Sequence, residues 1–194
     1  MAENKVEEIL SELSLTGEAV LDNLDKSPEF ITWKWLDITY QSIVKWRNIR
    51  FHNGNDHKMQ NCALCQEADN IFARPLYSLD KDAEHHLCDY CPLGVCIAEC
   101  DDVGSPYWEW NDYLYSFEHG LHSAKEDKSL GLADNMIYML FFLHYSIKLK
   151  LYIKYKISSY AYFQDNVEPE LYDYALVSWW ALMGCSLGMG VYNG

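Results

Sequence analysis

Seven cysteines are present in this 194-residue chain, and six of them fall between positions 62 and 100. Cys62 and Cys65 form one Cys-x2-Cys pair and Cys88 and Cys91 a second, with 22 residues between them; Cys96 and Cys100 follow. Two residues between thiolates let both sulfurs of a pair reach one ion from a tight turn, and two pairs can complete a tetrahedral sulfur site. Zinc suits such a site, and a closed four-sulfur centre contributes folding energy directly. Cys62, Cys65, Cys88 and Cys91 are the first-choice ligands, with Cys96, Cys100, His85 and His86 as substitutes. An iron–sulfur cluster is the alternative. Cys91 is followed directly by Pro92 with more cysteines close by, as in some ferredoxin-like runs, although the spacing matches neither common ferredoxin pattern. Cys185, in an apolar segment, reads as a small buried residue.

No catalytic constellation stands beside this cluster. His-Glu-x-x-His is absent, and so are the Gly-rich phosphate loops and the Gly-x-Ser-x-Gly elbow. The zinc deaminase pattern needs Pro before a Cys-x2-Cys pair, whereas here Pro92 follows one. His144 lies in an apolar run and reads as a core histidine with a satisfied ring; His119 and His122 read as loop residues. No catalytic residue is assigned, and the chemistry points to a structural metal more than to an enzyme.

The charge narrows the partners. The chain carries 29 acids against 15 bases, a net charge of −14. Positions 67–118 hold twelve acids against only Arg74 and Lys81. Such a surface is repelled by phosphate backbones and anionic lipid, and metal modules that hold nucleic acid usually carry Lys and Arg around the ion. Direct nucleic-acid binding is therefore disfavoured, and a basic protein partner is favoured. Residues 1–15 are charged and lack the apolar core of a signal peptide, which gives a reducing cytoplasm as the expected compartment. Residues 175–194 carry no charge, enough in length for a membrane span, but their glycines and serines favour a buried helix running into a Gly-rich tail.

The elements that must position the cysteines read mainly as helices. Residues 3–14 form an amphipathic helix with Val6, Ile9, Leu10 and Leu13 on one face, and Thr16 can cap a second with Val20, Leu21 and Leu24. Ser27-Pro28-Glu29 signals a helix start, and a helix is centred on 35–49 with Leu36, Tyr40, Ile43 and Val44 in its stripe, which then moves to Trp46 and Ile49. Asn53-Gly54-Asn55-Asp56 is turn chemistry. Residues 71–79 read as a short strand or hairpin piece that Pro75 demotes to an edge or a loop. An aromatic helical segment over 107–115 offers exposed rings, 120–131 is a loop, and 132–145 is helical. Over 147–158 apolar residues alternate with Lys148, Lys150, Tyr152, Lys154, Lys156 and Ser158, which predicts a half-buried strand with a lysine face. The last helix starts near Val167, with Pro169 and Glu170 in its first turn, and stops at Gly184.

The segment 42–110 is similar to small uncharacterised cysteine-rich proteins of phages and prophages. The likeness rests on Lys45-Trp46, Cys62-Ala63-Leu64-Cys65, Cys88-x-x-Cys91-Pro92, Cys100, and then Tyr107-Trp108-x-Trp110. It covers about a third of the chain. It implies a viral or mobile-element origin and a metal-binding knuckle, and no known reaction. In that pattern a single cysteine follows the Cys-Pro step, which adds Cys100 to the ligands and leaves Cys96 as this chain's departure. The expectation is one mainly α (α+β) domain over 1–194, with a cysteine-rich metal lobe inserted at 61–107 and at least one amphipathic β-strand. Cys62, Cys65, Cys88, Cys91 and Cys100 hold zinc. The expected task is binding, and inhibiting, a host protein whose surface is basic and binds nucleic acid.

Overall fold

A computed structural model of the chain describes residues 5–52, 62–72, 87–100, 102–118, 126–156 and 167–190. Among these residues every regular element is a helix. Helix α1, Lys5–Glu12, buries Val6, Ile9 and Leu10, positions three and four apart that share one face. It ends in a left-handed cap: Ser14 has φ 57°, and the Leu15 N–H reaches back to the Leu10 carbonyl at 2.8 Å. Helix α2, Gly17–Lys26, starts where Thr16 accepts the Ala19 N–H at 3.2 Å. A 3-10 turn at Pro28–Phe30 leads to Thr32, whose hydroxyl accepts the Trp35 N–H at 3.2 Å and starts α3, Trp33–Phe51.

After α3 come α4 (Ala63–Phe72), a 3-10 turn (Leu87–Tyr90), α5 (Pro92–Cys96), α6 (Pro106–Glu118), α7 (Glu126–Tyr155), a 3-10 turn (Pro169–Leu171) and α8 (Tyr172–Gly190). At 30 residues α7 is about 45 Å long. It is the spine of the molecule, packing against α1, α2, α3, α5, α6 and α8. That is why its apolar residues surround the helix instead of forming a stripe. Between Asn135 and Lys148 only Tyr138 is not buried.

Polar groups on this seam are paired, as burial requires. The His144 ring meets the Leu36 carbonyl at 3.2 Å through Nδ1, in the role of a core histidine. The Ser146 hydroxyl donates to the Phe142 carbonyl at 2.8 Å, and the Ser178 hydroxyl to the Tyr138 carbonyl at 3.1 Å. Asp134 accepts from Arg50 Nε at 2.6 Å and from the Tyr174 hydroxyl at 2.5 Å, joining α3, α7 and α8.

The strand expected over 147–158 is not formed, and the mixed α+β reading gives way to a helical fold among the described residues. Residues 147–155 are the last turns of α7, while Ile157 and Ser158 lie outside the described residues. Ile147 and Leu151, four apart, are fully buried, whereas Ile153 and Tyr155 are 65% and 54% exposed. The alternating apolar residues thus never share one buried face. Nothing from Leu132 to Tyr155 interrupts the helix with Gly or Pro, and extending a formed helix is cheap, whereas a strand needs a partner. Lys148 is buried and Lys150 bonds Asp25 at 2.6 Å, so these lysines do not form one face.

Other boundaries move as well. Ile71 and Phe72 end α4 instead of opening a strand, and 73–79 lie outside the described residues, as do Asn53, Gly54, Asn55 and Asp56. Helix α7 begins at Glu126, inside the expected 120–131 loop. Helix α8 runs past Gly184 to Gly190, since a glycine in a helix costs only about 1 kcal/mol. One described helical stretch, Ser129–Tyr155, is long and apolar enough to cross a membrane by length and composition, and 72% of its most apolar window is buried inside the fold.

Candidate metal centre

The first cysteine pair is positioned by docking α4 on α3. Leu64 and Ala68 are buried, the Leu64 N–H donates to the Ser42 hydroxyl at 3.3 Å, and Lys34 Nζ bonds Glu67 Oε1 at 2.5 Å. Cys62 stands just before α4, its carbonyl accepting the Gln66 N–H at 2.9 Å, and Cys65 lies in the first turn. The second pair spans a tighter bend. Cys88 is in the 3-10 turn, its carbonyl accepts the Cys91 N–H at 3.1 Å, and Cys91 is the extended N-cap residue of α5 with Pro92 behind it. Gly94 makes this bend possible: a Cβ there would lie 2.6 Å from the Cys88 carbonyl oxygen.

Cys100 arrives from a third direction. Its carbonyl accepts the Ser105 hydroxyl at 2.9 Å, and the same Ser105 oxygen accepts the Trp108 N–H at 3.1 Å, capping α6. Glu99 N–H is held by Asp102 at 3.1 Å. Ser105 thus fixes both the cysteine turn and the helix that follows. That helix brings Trp110 and Tyr107 edge-on to the buried Trp46, at 5.1 and 6.1 Å between ring centroids. The rings expected to be exposed over 107–115 are therefore mostly core. Trp110 and Tyr113 are buried, and Tyr115 alone in that span is strongly exposed.

The thiols of the three approaches act on one another. The Cys65 thiol is hydrogen-bonded to both Cys100 and Cys62. Its pKa is pushed up to about 12, first by the bond to Cys100, with burial and the neighbouring Cys100 and Cys88 adding to it while the bond to Cys62 opposes. Cys62 is pushed well up, first by its bond to Cys65 and then by burial; the Cys65 N–H and the Lys45 ammonium pull the other way. Cys91 is raised by burial and by the presence of Cys65 and Cys62. Its sulfur makes no full capping hydrogen bond, yet the Gly94 and Leu93 N–H groups favour its thiolate, as peptide groups at a helix start do.

Cys62, Cys88, Cys91 and Cys100 are therefore each brought within electrostatic reach of Cys65. They lie as a chain of thiols and not as a closed shell. Among the described residues no three His, Cys, Asp or Glu side chains are arranged to hold a metal ion. A Zn–S bond of about 2.3 Å sets sulfur–sulfur edges of about 3.8 Å in a tetrahedron, comparable with a thiol–thiol hydrogen bond. The donor set suits a soft, tetrahedral ion, and each ligand would release its proton on binding.

Cys96 faces elsewhere. It is buried on α5 against α2, where Asn23 Nδ2 donates to its carbonyl at 3.3 Å; burial first, and then Glu29, push its thiol up to about 12. Cys185 is half-buried on α8 and packs into the hollow at Gly17, where a Cβ would lie 2.1 Å from its sulfur. His85, His86, His119 and His122 lie outside the described residues. Sequence reasoning gave no role to Gly94 and Ser105, and reached Ser42 and Lys45 only as part of the resemblance over 42–110. Ser105-Pro106 carried a readable helix-start signal; the approach of Lys45 to Cys62 carried none. Set against known protein families, curated proteins and solved structures, the chain matches none of them.

Proposed function

We propose that this chain is a zinc-stabilised acidic protein of phage or mobile-element origin that works in the host cytoplasm by binding, and so inhibiting, a basic host protein. The observation that carries the metal part is the gathering of Cys62, Cys65, Cys88, Cys91 and Cys100 from separate segments around Cys65. Zinc holds four of these sulfurs and fastens α4, α5 and the Cys100 turn to the helical body. The partner part is supported by charge. Asp69, Asp89, Asp102 and Asp112 are exposed in and beside the lobe, with Val103 at 80% and Tyr115 at 60% exposure among them. Acidic groups around apolar tips fit a basic groove of the kind that holds nucleic acid, where complementary charge speeds encounter and excludes other partners.

Metal content and the absorption spectrum of protein purified without air test the first part. One zinc per chain and no visible band is the expected result. Iron with sulfide and a visible band would replace zinc by a cluster and make redox chemistry the lead. Capture from a host lysate tests the second part: a basic nucleic-acid-binding protein, released by raised salt, is expected. Recovery of no basic partner, or binding indifferent to salt, counts against it.

A further inference from the structure

The far end of α7 differs in charge from the rest of the molecule. Positions 135–156 hold Lys148, Lys150, Lys154 and Lys156 and no acid, in a chain whose net charge is −14. Lys156, in the left-handed conformation with φ 54°, closes the helix, and Ile153, Lys154, Tyr155 and Lys156 are all exposed. Trp33, at the start of α3, rests on this end. Its ring stacks on Tyr155 at 6.3 Å between centroids and 19° between planes, and meets Tyr152 at 6.3 Å. Even so, Trp33 is 48% exposed. Lys154 Nζ stands 5.8 Å from the centre of the Tyr155 ring. Packing in the core accounts for α7 as far as Leu151. It does not account for Ile153, Tyr155 and Trp33, left in water among lysines.

The field at this end is set locally. Asp25 of α2 and Glu67 of α4 reach toward it, and each is paired with a lysine, Lys150 at 2.6 Å and Lys34 at 2.5 Å. Asp37, one turn into α3 from Trp33, accepts from Gln41 at 2.8 Å. The Cys100 turn packs on α7 at Met136 and Met139. Met139 is about 22 Å along the helix axis from Lys154. That is well beyond a Debye length of about 8 Å at physiological salt, so the acids of that turn are screened from Lys154 and Lys156.

We propose that this end is a membrane-contact site, at which Ile153, Tyr155 and Trp33 enter the interface of an anionic bilayer while Lys154 and Lys156 lie against its phosphate headgroups. Charge is complementary there, and Trp and Tyr rings settle at headgroup level, where lysines reach the phosphates on their long stems. Ile153 favours a bilayer over a nucleic-acid strand as the occupant. An aliphatic tip gains by entering hydrocarbon and offers no ring for a base to stack on. Trp33 and Tyr155 also already use one face each on the other. The net charge of −14 repels the rest of the molecule from such a bilayer, so the contact holds the acidic lobe away from it. Two lysines and three apolar side chains make a weak and reversible contact.

Cosedimentation of the full chain with vesicles tests this, using phosphatidylcholine alone and phosphatidylcholine mixed with phosphatidylglycerol. The expected result is binding to the anionic vesicles at low salt, lost as salt is raised, and none to phosphatidylcholine alone. Lys154→Glu combined with Lys156→Glu, and separately Trp33→Ser, should each weaken the binding at least about tenfold with helix content unchanged, because these side chains are exposed. No binding to anionic vesicles at low salt overturns the proposal. So does equal binding to both kinds of vesicle, or binding undiminished in either variant. Binding of a single-stranded oligonucleotide but not of vesicles also overturns it, and gives this end to nucleic acid.

Discussion

Helix α7 and the α4–α5 lobe carry apolar residues at a similar density along the chain, yet they are held in place by different means. In α7, Phe141, Phe142, Leu143 and Ile147 are fully buried among six other helices. Its polar groups need only be satisfied locally, as His144 and Ser146 are. In the lobe, α4 has ten residues and α5 has five, too short to be stable alone. They bury Leu64, Ala68, Leu93 and Ile97, and their other inward groups are thiols and the Glu67 carboxylate paired with Lys34. Where a segment can insert enough hydrocarbon into a common core, no crosslink is needed. Where it cannot, the ion proposed on the paired cysteines would supply the missing stabilisation.

Removing the ion tests this contrast most severely. Chelation should expose the α4 and α5 amides to hydrogen exchange while the α3 and α7 amides keep their protection. Structural zinc in isolated finger peptides is worth about 10–16 kcal/mol, so even a fraction of that would open the lobe. Equal loss of protection in lobe and body would dissolve the distinction. On the body side, Phe142→Ala leaves a cavity at the seam where α2 meets α7. It should cost about 3–5 kcal/mol in denaturant unfolding, and a cost below about 1 kcal/mol would show that α7 is not the spine described above.

Gly94→Ala sharpens the lobe side. Its Cβ would press on the Cys88 carbonyl, which must shift and spoil the second cysteine pair. A loss of about 1–3 kcal/mol in metal affinity, roughly tenfold or more, is expected in competition with a chromophoric chelator. Alkaline pH provides a milder comparison at the buried thiols outside the cluster. Cys96 and Cys185 are raised to about 12 and about 11 from 9.0, chiefly by burial. Below the unfolded value both states hold the proton and their contribution to stability is complete. As pH rises above it, the unfolded chain loses protons that the folded chain keeps, so stability falls until the folded thiols titrate. Zinc-loaded protein should therefore lose stability above about pH 9, and Cys96→Ala should flatten that slope; an unchanged slope would refute the assignment. The smallest effect is expected at Ser14, in the left-handed cap of α1. Ser14→Gly removes that strain and should stabilise the body by about 0.5–1 kcal/mol, without altering metal binding.

The turn that each Cys-x2-Cys pair makes was legible in the sequence because it is local. Two intervening residues dictate that a pair of sulfurs can turn toward one ion, whatever surrounds them. The start of α2 was legible for the same reason: Thr16 carries a capping oxygen three residues from the N–H it accepts, whereas Ser27-Pro28-Glu29, expected to open a helix, forms a 3-10 turn and α3 starts at Thr32. The resemblance over 42–110 named residues that the fold sets side by side, with Lys45 acting on Cys62 and Trp46 against Tyr107 and Trp110. It did not convey that these rings form a core and not an exposed face.

What the sequence by itself determined is the chemistry available within a few residues: paired thiols, capping hydroxyls, amphipathic faces in α1 and α2, and an acidic surface charge. Only the tertiary structure decided which cysteines meet and which segments stay helical. Cys100 joins Cys65 because Ser105 ties its turn to the start of α6, while Cys96, four residues earlier, is turned toward α2. The lysine-alternating segment is helical because Ile147 and Leu151 find a core one helical turn apart, and the intervening apolar residues are left half-buried or exposed. A period of two specifies a strand only when one face of that strand is buried, and burial is a property of the neighbours, not of the segment.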